Sequence, residues 1–450
     1  MKSSSPYEEF LNNVTSRVKA TEAHVMIKKE LTSHLVQLSQ SFQKLDMTKE
    51  EADEKALEEM GNPFTIGDNL NQLHRPKMDW VLILLYTIIA VISFLPILNL
   101  DEGIIILSAS TLIIKQLSLF TIGLLIIVMF LFFDYRRLQK WWGFFYTSGI
   151  ILLLVTLVFG STTMGALKWL EIGGFKISIT PISFFLFFLA FSGFCYKVNE
   201  VTSWKKQMFY FGLLCFPIVL YLMLPDFFAI VIYFFCVASM FAFTQLNKRM
   251  ILRLGLATGT LFIIVLSFIF GYAYFDTSRG GTFFVNRFLA IFTYLNPDTA
   301  PGSPDYLSII IKDLLSQAGW FGNGYSDNIL PLPESHTDFV FPYLVYTFGW
   351  AFGVFLCLLL LFFILRICFH AFKTNDLYGR LLVVGGASLF IIPTYWNILM
   401  SLGFLPIIGI YLPFISYGGT IVIMYSTILG LILSVYRRKD IVAPTIVVRG

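Results

Sequence analysis

Long apolar runs separated by short polar stretches fill most of the chain, and this pattern predicts a membrane domain. A helix needs roughly 20 mainly apolar residues to cross a membrane. The runs that approach this length predict ten spans, at residues 79–98, 117–133, 141–159, 181–196, 207–223, 227–244, 251–274, 338–365, 381–402 and 411–435. The apolar residues 104–116 precede the second span, and we expect them to form an outer re-entrant or interfacial piece because Lys115 and Gln116 interrupt them.

Residues 1–78 have a different pattern, with apolar residues at helical spacing among ten Lys/Arg and twelve Asp/Glu. Thr48 and Glu51 form a capping-box pattern that predicts the start of a helix, and Gly61 and Pro63 predict its end. We therefore expect a bundle of three or four helices at 1–78, a ten-span membrane domain at 79–439 and a tail at 440–450.

Composition and charge distribution support this division. The chain is 57% hydrophobic and 13% charged, against roughly 25% charged in soluble domains, which predicts an all-α polytopic membrane protein. Every short loop on the side of the N-terminus holds three Lys or Arg, whereas the opposite loops hold fewer for their length. The positive-inside rule then predicts that both termini are cytoplasmic and that the long loop 275–337 is outside.

Cysteines and net charge exclude several classes of function. The five cysteines lie in or beside apolar runs and none has CxxC spacing. The sequence therefore predicts neither a disulfide framework nor a protein metal site. The net charge of +4 is small, and we expect no nucleic-acid partner.

The stretch from Pro331 to Pro342 concentrates ionisable side chains where the eighth span begins. Glu334, His336 and Asp338 occur within five residues. Ionisable groups at this depth are costly and tend to be functional. Asp338 has two interpretations, a helix N-cap or first-turn acid or a carboxylate that accepts a proton in a reaction. The stretch alone leaves both open.

Other polar stretches lie on the same predicted outer face. Residues 403–420 combine four glycines with two prolines, which favours a broken or re-entrant helix of the kind tolerated only where it is buried or lines a cavity. Lys168 and Trp169 are either an interfacial anchor or a site for an anionic lipid head group. Pro225 and Asp226 predict a tight turn.

Residues 77–439 resemble the SEDS family, the FtsW, RodA and SpoVE proteins of bacterial wall synthesis. The principal motifs are LPESHTDF at 332–339 and LPFISYGG at 412–419. Supporting motifs are KQL at 115–117, DYR at 134–136, GALKW at 165–169, PD at 225–226, GNG at 322–324, and Asn397 ahead of GFLP at 403–406. Residues 1–78 resemble the HAAS-type helical domain that precedes membrane segments in some Gram-positive proteins.

The resemblance implies a peptidoglycan glycosyltransferase that polymerises lipid II, an undecaprenyl-diphosphate-linked disaccharide peptide, on the outer face of the bacterial plasma membrane. Such proteins serve cell shape, division or sporulation, and the implied partner is a class B penicillin-binding transpeptidase. The essential aspartate of the family's His-Thr-Asp-Phe motif falls on Asp338, the implied general base. Candidate substrate-binding residues are Lys168, Trp169, Arg279, Arg287, Glu334, His336, Thr337, Asn397, Ser416, Tyr417, Gly418 and Gly419.

The diphosphate of such a donor needs positive charge nearby. Lys168, Arg279 and Arg287 are the candidate cations, and a divalent cation, Mg²⁺ or Mn²⁺, is the alternative. We expect no other cofactor.

The chain departs from the family pattern at several positions. Thr180-Pro181-Ile182-Ser183 replaces Gln-Pro-Ser-Glu, Tyr346-Thr347-Phe348-Gly349 replaces Glu-Glu-Leu-Gly, and Pro393 replaces a glutamine. Two alternatives to an enzyme are therefore kept. Ten spans with broken helices also suit a lipid II flippase, and the lost acids suit a non-catalytic scaffold of the wall-synthesis complex.

Overall fold

A computed structural model of the protein describes residues 6–98, 109–163, 166–173, 175–198, 203–224, 226–244, 306–325, 332–405 and 407–441, with isolated positions between 256 and 267. The predicted seventh span, 251–274, lies outside these ranges except at those isolated positions. Arg279 and Arg287 also lie outside the described residues.

The described chain is mainly helical, as predicted. In chain order, the helices are α1 (Pro6–Arg17), α2 (His24–Gln43), α3 (Lys49–Met60), α4 (Pro63–Leu73), α5 (Trp80–Ile92), α6 (Ala109–Phe132), α7 (Trp142–Phe159), α8 (Ile179–Val198), α9 (Trp204–Met223), α10 (Phe227–Phe243), α11 (Tyr306–Gln317), α12 (Val340–Phe348), α13 (Trp350–Lys373), α14 (Leu377–Ser401) and α15 (Gly419–Arg438). Three strands, β1 (Ser161–Thr163), β2 (Ala166–Ile172) and β3 (Phe175–Ser178), lie between α7 and α8. Contacts divide the chain into one unit of residues 1–79, 373–376 and 435–450 and a second of residues 80–372 and 377–434.

The first unit is a helical bundle built on apolar stripes of α1 to α4. Thr48 and Glu51 form the predicted capping box at the start of α3. The core includes Val14, Ile27 and Leu35, and it also contains Ile441, from the opposite end of the chain. The N-terminal helices and the segment that follows α15 therefore share one hydrophobic core.

Polar bonds reinforce the junction between the N-terminal bundle and residues 438–441. Arg438 donates through Nε (2.8 Å) and Nη2 (3.1 Å) to the two carboxylate oxygens of Glu22. Lys77 pairs with Asp440 at 2.8 Å, and His74 Nδ1 lies 2.8 Å from the Asp440 carbonyl oxygen. Bidentate pairs of this kind fix orientation as well as contributing energy.

The second unit carries the membrane helices. Among the described residues, seven helical stretches are long and apolar enough to span a membrane: Trp80–Ile97, Ser110–Phe132, Tyr135–Phe159, Ile179–Lys197, Trp350–Lys373, Leu377–Ser401 and Gly419–Arg438. Two shorter apolar helices, Gly212–Met223 and Phe228–Phe243, coincide with the predicted fifth and sixth spans.

The prediction of a separate interfacial piece is wrong for residues 109–116, because α6 begins at Ala109. Gln116 is fully buried, and its Nε2 donates to Ser93 Oγ at 3.3 Å. The polar residue that interrupts the apolar pattern is therefore accommodated by a neighbouring helix.

The predicted eighth span is divided into α12 and α13 at Gly349, which has a φ of 86°. The chain at 319–324 pairs with this break through backbone bonds, from Trp350 N to Gly319 O (3.0 Å) and from Gly324 N to Thr347 O (2.9 Å). A side chain at position 349 would meet the Trp320 carbonyl. The apolar run alone could not show this break, because the break is bonded to the backbone of residues 319–324, outside the run.

The three strands form an antiparallel sheet in the order β1-β2-β3, which the sequence pattern did not predict. Trp169 of β2 pairs with Ser161 on one side and Ser178 on the other. The sheet therefore fixes the position of Trp169.

Candidate functional site

Asp338 lies at the end of a tight turn that precedes α12. Glu334 adopts a left-handed conformation (φ 54°), and its carbonyl oxygen accepts bonds from the backbone N–H groups of Thr337 and Phe339, both at 3.1 Å. Thr337 Oγ1 also donates to Glu334 Oε2 at 2.5 Å. The N-cap of α12 is Phe339, so the interpretation of Asp338 as the N-cap or a first-turn acid is wrong.

Asn397 holds this turn against the segment between α14 and α15. Its side chain is fully buried, and Nδ2 donates to the backbone carbonyls of Asp338 (2.8 Å) and Ile410 (2.6 Å). One amide group thus links two pieces of irregular backbone.

The segment between α14 and α15 is irregular wherever it is described, as its glycines and prolines predicted. Ser416 Oγ donates to the Thr337 carbonyl at 2.6 Å and accepts from Leu412 N at 2.7 Å. Tyr417 N donates to the His336 carbonyl at 2.9 Å. The principal motifs at 332–339 and 412–419 therefore bind each other directly.

Gly409 allows this segment to approach the carboxylate of Asp338. A methyl group at position 409 would lie 2.8 Å from Asp338 Oδ2, closer than ordinary contacts allow. Asp338 is 8% exposed, so its carboxylate lies in a confined space beside the Gly409 backbone.

A cavity of about 410 Å³ opens at Asp338. Its lining comes from the two motifs, the sheet and helices α8, α10, α14 and α15. The polar and aromatic lining residues include Trp169, Thr180, Asp226, Glu334, His336, Thr337, Asp338, Tyr411 and Tyr417. The described lining contains three carboxylates and no Lys or Arg.

The structure brings most of the candidate residues to this cavity. Trp169, Glu334, His336, Thr337, Tyr417, Gly418 and Gly419 line it together with Asp338. Asn397 and Ser416 are fully buried behind the lining and bond to the backbone, which suits positioning rather than substrate contact. Lys168 lies in β2, but its side chain is outside the described part of the structure, as are Arg279 and Arg287.

Several lining residues were not among the candidates. Asp226 was predicted only to form a tight turn. It caps α10 by accepting from Ala229 N at 3.2 Å, and it also accepts from Thr180 Oγ1 at 3.0 Å beside the cavity. Thr180 and Pro393 occupy positions where the chain departs from the family pattern, whereas Pro181 keeps the proline of that pattern, and all three line the cavity. The PD motif at 225–226 and the departures from the family pattern were the sequence features that could have indicated these lining residues.

Burial shapes the electrostatics of the lining. Desolvation lowers the pKa of His336, while nearby Glu334 opposes this effect. His336 is therefore neutral at pH 7, and its ring lies 5.8 Å from that of Tyr417. Burial, and then the charges of Asp338 and Glu334, raise the pKa of Tyr411 well above its ordinary value, so Tyr411 keeps its proton and can donate a hydrogen bond.

Comparison with known proteins gives related sequences across most of the chain. A family model described as "Cell cycle protein" (FtsW/RodA/SpoVE) matches residues 76–441. The probable peptidoglycan glycosyltransferase FtsW of Bacillus subtilis (strain 168) is 28% identical over 348 residues, which cover 73% of this chain and 82% of the relative. The peptidoglycan glycosyltransferase MrdB of Escherichia coli (strain K12) is 24% identical over 336 residues, which cover 74% and 87% of the two chains.

Solved structures share the fold. A chain from "Structural coordination of polymerization and crosslinking by a peptidoglycan synthase complex" superposes with a TM-score of 0.64 and 23% identity, covering 80% of this chain and 98% of that chain. The rod shape determining protein RodA of Thermus thermophilus superposes with a TM-score of 0.56 and 21% identity, covering 80% and 97%. The family match over residues 76–441 and the shared fold show that this chain is a multi-pass bacterial membrane protein of the FtsW/RodA/SpoVE family.

Proposed function

We propose that the protein is a peptidoglycan glycosyltransferase that polymerises lipid II, with Asp338 as the general base. The observation that carries the proposal is the position of Asp338, a confined carboxylate at a cavity built by the two principal family motifs. Two relatives in the family are named peptidoglycan glycosyltransferases, which supports the same activity for this chain.

The reaction joins an acceptor sugar hydroxyl to the anomeric carbon of a lipid-linked donor. The hydroxyl oxygen forms the new bond, its proton passes to the Asp338 carboxylate, and the bond from the anomeric carbon to the diphosphate breaks with its electron pair leaving on the diphosphate. A positioned base is useful because the hydroxyl becomes acidic only as the attack proceeds. A single displacement of this kind inverts the anomeric configuration.

The rigid backbone around Asp338 contributes by orientation. Bonds from Asn397 and Ser416 fix the turn on two sides, and the absence of a side chain at Gly409 leaves room for the carboxylate. Preorganised groups avoid the cost of reorganisation during the reaction. Trp169 and Tyr417 offer aromatic faces for sugar rings at the same cavity.

The charge of the diphosphate favours a requirement for a divalent cation. Three carboxylates line the cavity, and its described lining supplies no cationic side chain. The described residues contain no group of three His, Cys, Asp or Glu side chains that could hold a metal alone. Mg²⁺ commonly binds through one or two carboxylates plus substrate phosphates, so Glu334 together with the diphosphate would hold it and leave Asp338 to accept the proton. Lys168, Arg279 and Arg287 are the alternative counter-charges.

The topology and partner follow from the same proposal. Both termini are cytoplasmic, and the Asp338 cavity faces the outside, in accord with the distribution of Lys and Arg. The similarity to a chain of a peptidoglycan synthase complex supports a class B penicillin-binding transpeptidase as the partner.

The first prediction concerns Asp338. Purified protein, supplied with lipid II and Mg²⁺, is expected to make glycan, and D338N to lose about 10²- to 10⁴-fold in rate because the base is removed. E171Q, which alters an exposed carboxylate in β2, is the matched control and is expected to keep its activity. Glycan synthesis by D338N at the wild-type rate would refute the role of Asp338 as the general base. Transport of lipid II without any polymer, in liposomes, would instead support a flippase.

The second prediction concerns the metal. Excess EDTA is expected to stop polymerisation, and Mg²⁺ or Mn²⁺ in excess of the chelator to restore it, because the described lining carries only negative charge. The rate is measured as glycan formed from labelled lipid II. Full activity in EDTA would show that side-chain cations suffice.

A further inference from the structure

A second, larger cavity lies beside α11 and the end of α14. This groove has a volume of about 780 Å³ and is lined by residues of α11, by Trp350 and by residues 400–403. Ile309, Ile311 and Leu315 contribute apolar walls from α11, and Met400 and Leu402 contribute them from the other side. Trp350 Nε1 donates to the Leu315 carbonyl at 3.1 Å, which fixes α11 against the start of α13.

The groove has one charged side chain in its described lining, Lys312. Lys312 is exposed, so its ammonium group is accessible to a ligand. The neighbouring Asp313 does not line the groove, and its carboxylate accepts a bond from Gln317 Nε2 at 2.8 Å. Apolar walls with one cation match an amphiphile that carries a phosphate on an apolar tail, because the tail buries against the walls and the cation pairs with the anion.

The groove and the Asp338 cavity share one stripe of α14. Pro393 lines the cavity, and Ser401, eight residues further along the helix, lines the groove. Between them, Asn397 binds the Asp338 carbonyl, and Ser401 Oγ donates to the Asn397 carbonyl at 2.7 Å. Eight residues of helix span about 12 Å, which is within the reach of a disaccharide attached to a diphosphate.

We propose that this groove binds the isoprenyl diphosphate of a lipid-linked saccharide, with Lys312 on the diphosphate, so that the attached sugar reaches the Asp338 cavity. The inference rests on the proposed function, in which two lipid-linked saccharides react. The groove then binds one of these two lipid-linked saccharides. It supplies a cation that the described lining of the Asp338 cavity lacks.

Binding of geranylgeranyl diphosphate to the full chain in phosphatidylcholine nanodiscs tests the proposal. K312A removes the charge-assisted bond to the diphosphate and is expected to weaken binding about tenfold. K176A, at an exposed lysine paired with Glu171, is the matched control and is expected to stay within about twofold of the wild type. L402W fills the groove without removing the charge and is also expected to weaken binding.

Three outcomes would overturn the proposal: unchanged affinity in both K312A and L402W, equal binding of inorganic diphosphate, or displacement of the probe by phosphatidylglycerol at equal concentration. The second would show that the apolar walls do not contribute, and the third that the groove is a general phospholipid site. This assay measures binding separately from polymerisation. If the wild type binds the probe but makes no glycan in any assay, the proposed function is refuted and the binding role of the groove stands. If K312A and L402W bind the probe normally and polymerisation occurs, only the binding role of the groove is refuted.

Discussion

At the residue scale, the site depends on how closely backbone approaches the Asp338 carboxylate. The sequence predicted that Asp338 and its motif neighbours Glu334, His336 and Thr337 belong to one site. It did not predict Gly409 or Tyr411 as neighbours, because their proximity arises from the irregular path between α14 and α15. A motif shows which residues are near in the chain, and only the fold shows which backbone lies against them.

Gly409 provides a prediction at this scale. G409A places a methyl group 2.8 Å from Asp338 Oδ2, so the carboxylate must move. A displacement of about 1 Å in a reacting group can cost roughly 10²-fold in rate, and we expect a loss of that size in polymerisation. G143A, which places a methyl group in open space on α7, is the control. A G409A enzyme with normal rate and normal thermal unfolding would show that the close approach does not restrain Asp338.

At the element scale, the turn at 319–324 and the break between α12 and α13 form one structure. The sequence predicted a glycine turn and a continuous span, and the structure shows that the turn occupies the place where the span breaks. Tyr346 and Thr347, which stand where the family has two glutamates, accept backbone bonds from Asn323 and Gly324 through their carbonyl oxygens. Those bonds do not need a particular side chain, which explains how the local structure tolerates the replacement.

Two glycines of this turn allow a matched pair of alanine substitutions that tests the contact between the turn and the break. Gly322 and Gly324 both have positive φ, 78° and 72°, so alanine at either costs about 1–2 kcal/mol in backbone strain. At Gly322 the new methyl group would also meet the Thr347 carbonyl, whereas at Gly324 it meets nothing. We expect G322A to lower thermal stability in detergent clearly more than G324A. Equal shifts in Tm would mean that the contact with the break is not maintained.

At the scale of the whole molecule, the apolar runs and the composition predicted the membrane domain, and the described spans agree with it. The polar segment 1–78 was predicted as a bundle in its own right. Its core, however, is completed by Ile441, and no pattern within 1–78 could show a partner more than 400 residues away.

The pair between Arg438 and Glu22 tests this junction. Arg438 is 2% exposed, so R438A leaves a cavity and removes two charge-assisted bonds from Glu22. We expect the bundle to lose about 1–3 kcal/mol, a range for unpairing a buried hydrogen-bonding group, measured by hydrogen exchange of α1 and α2. R17A breaks an exposed pair with Asp68 that contributes roughly 0–1 kcal/mol and serves as the control. Identical exchange in the two variants would contradict a structural role for the junction.

The shared core of α1 to α4 and Ile441 also sets an order of events during synthesis. The ribosome makes residues 6–73 before the membrane helices, yet Ile441, which completes their core, is made only after α15. Until α15 and the residues after it have been made, the apolar surface that Ile441 covers is exposed. A nascent chain that stalls or is cut before α15 leaves that surface exposed, which marks the incomplete protein for chaperones and proteases. The core of the bundle is therefore complete only after α15 has been made.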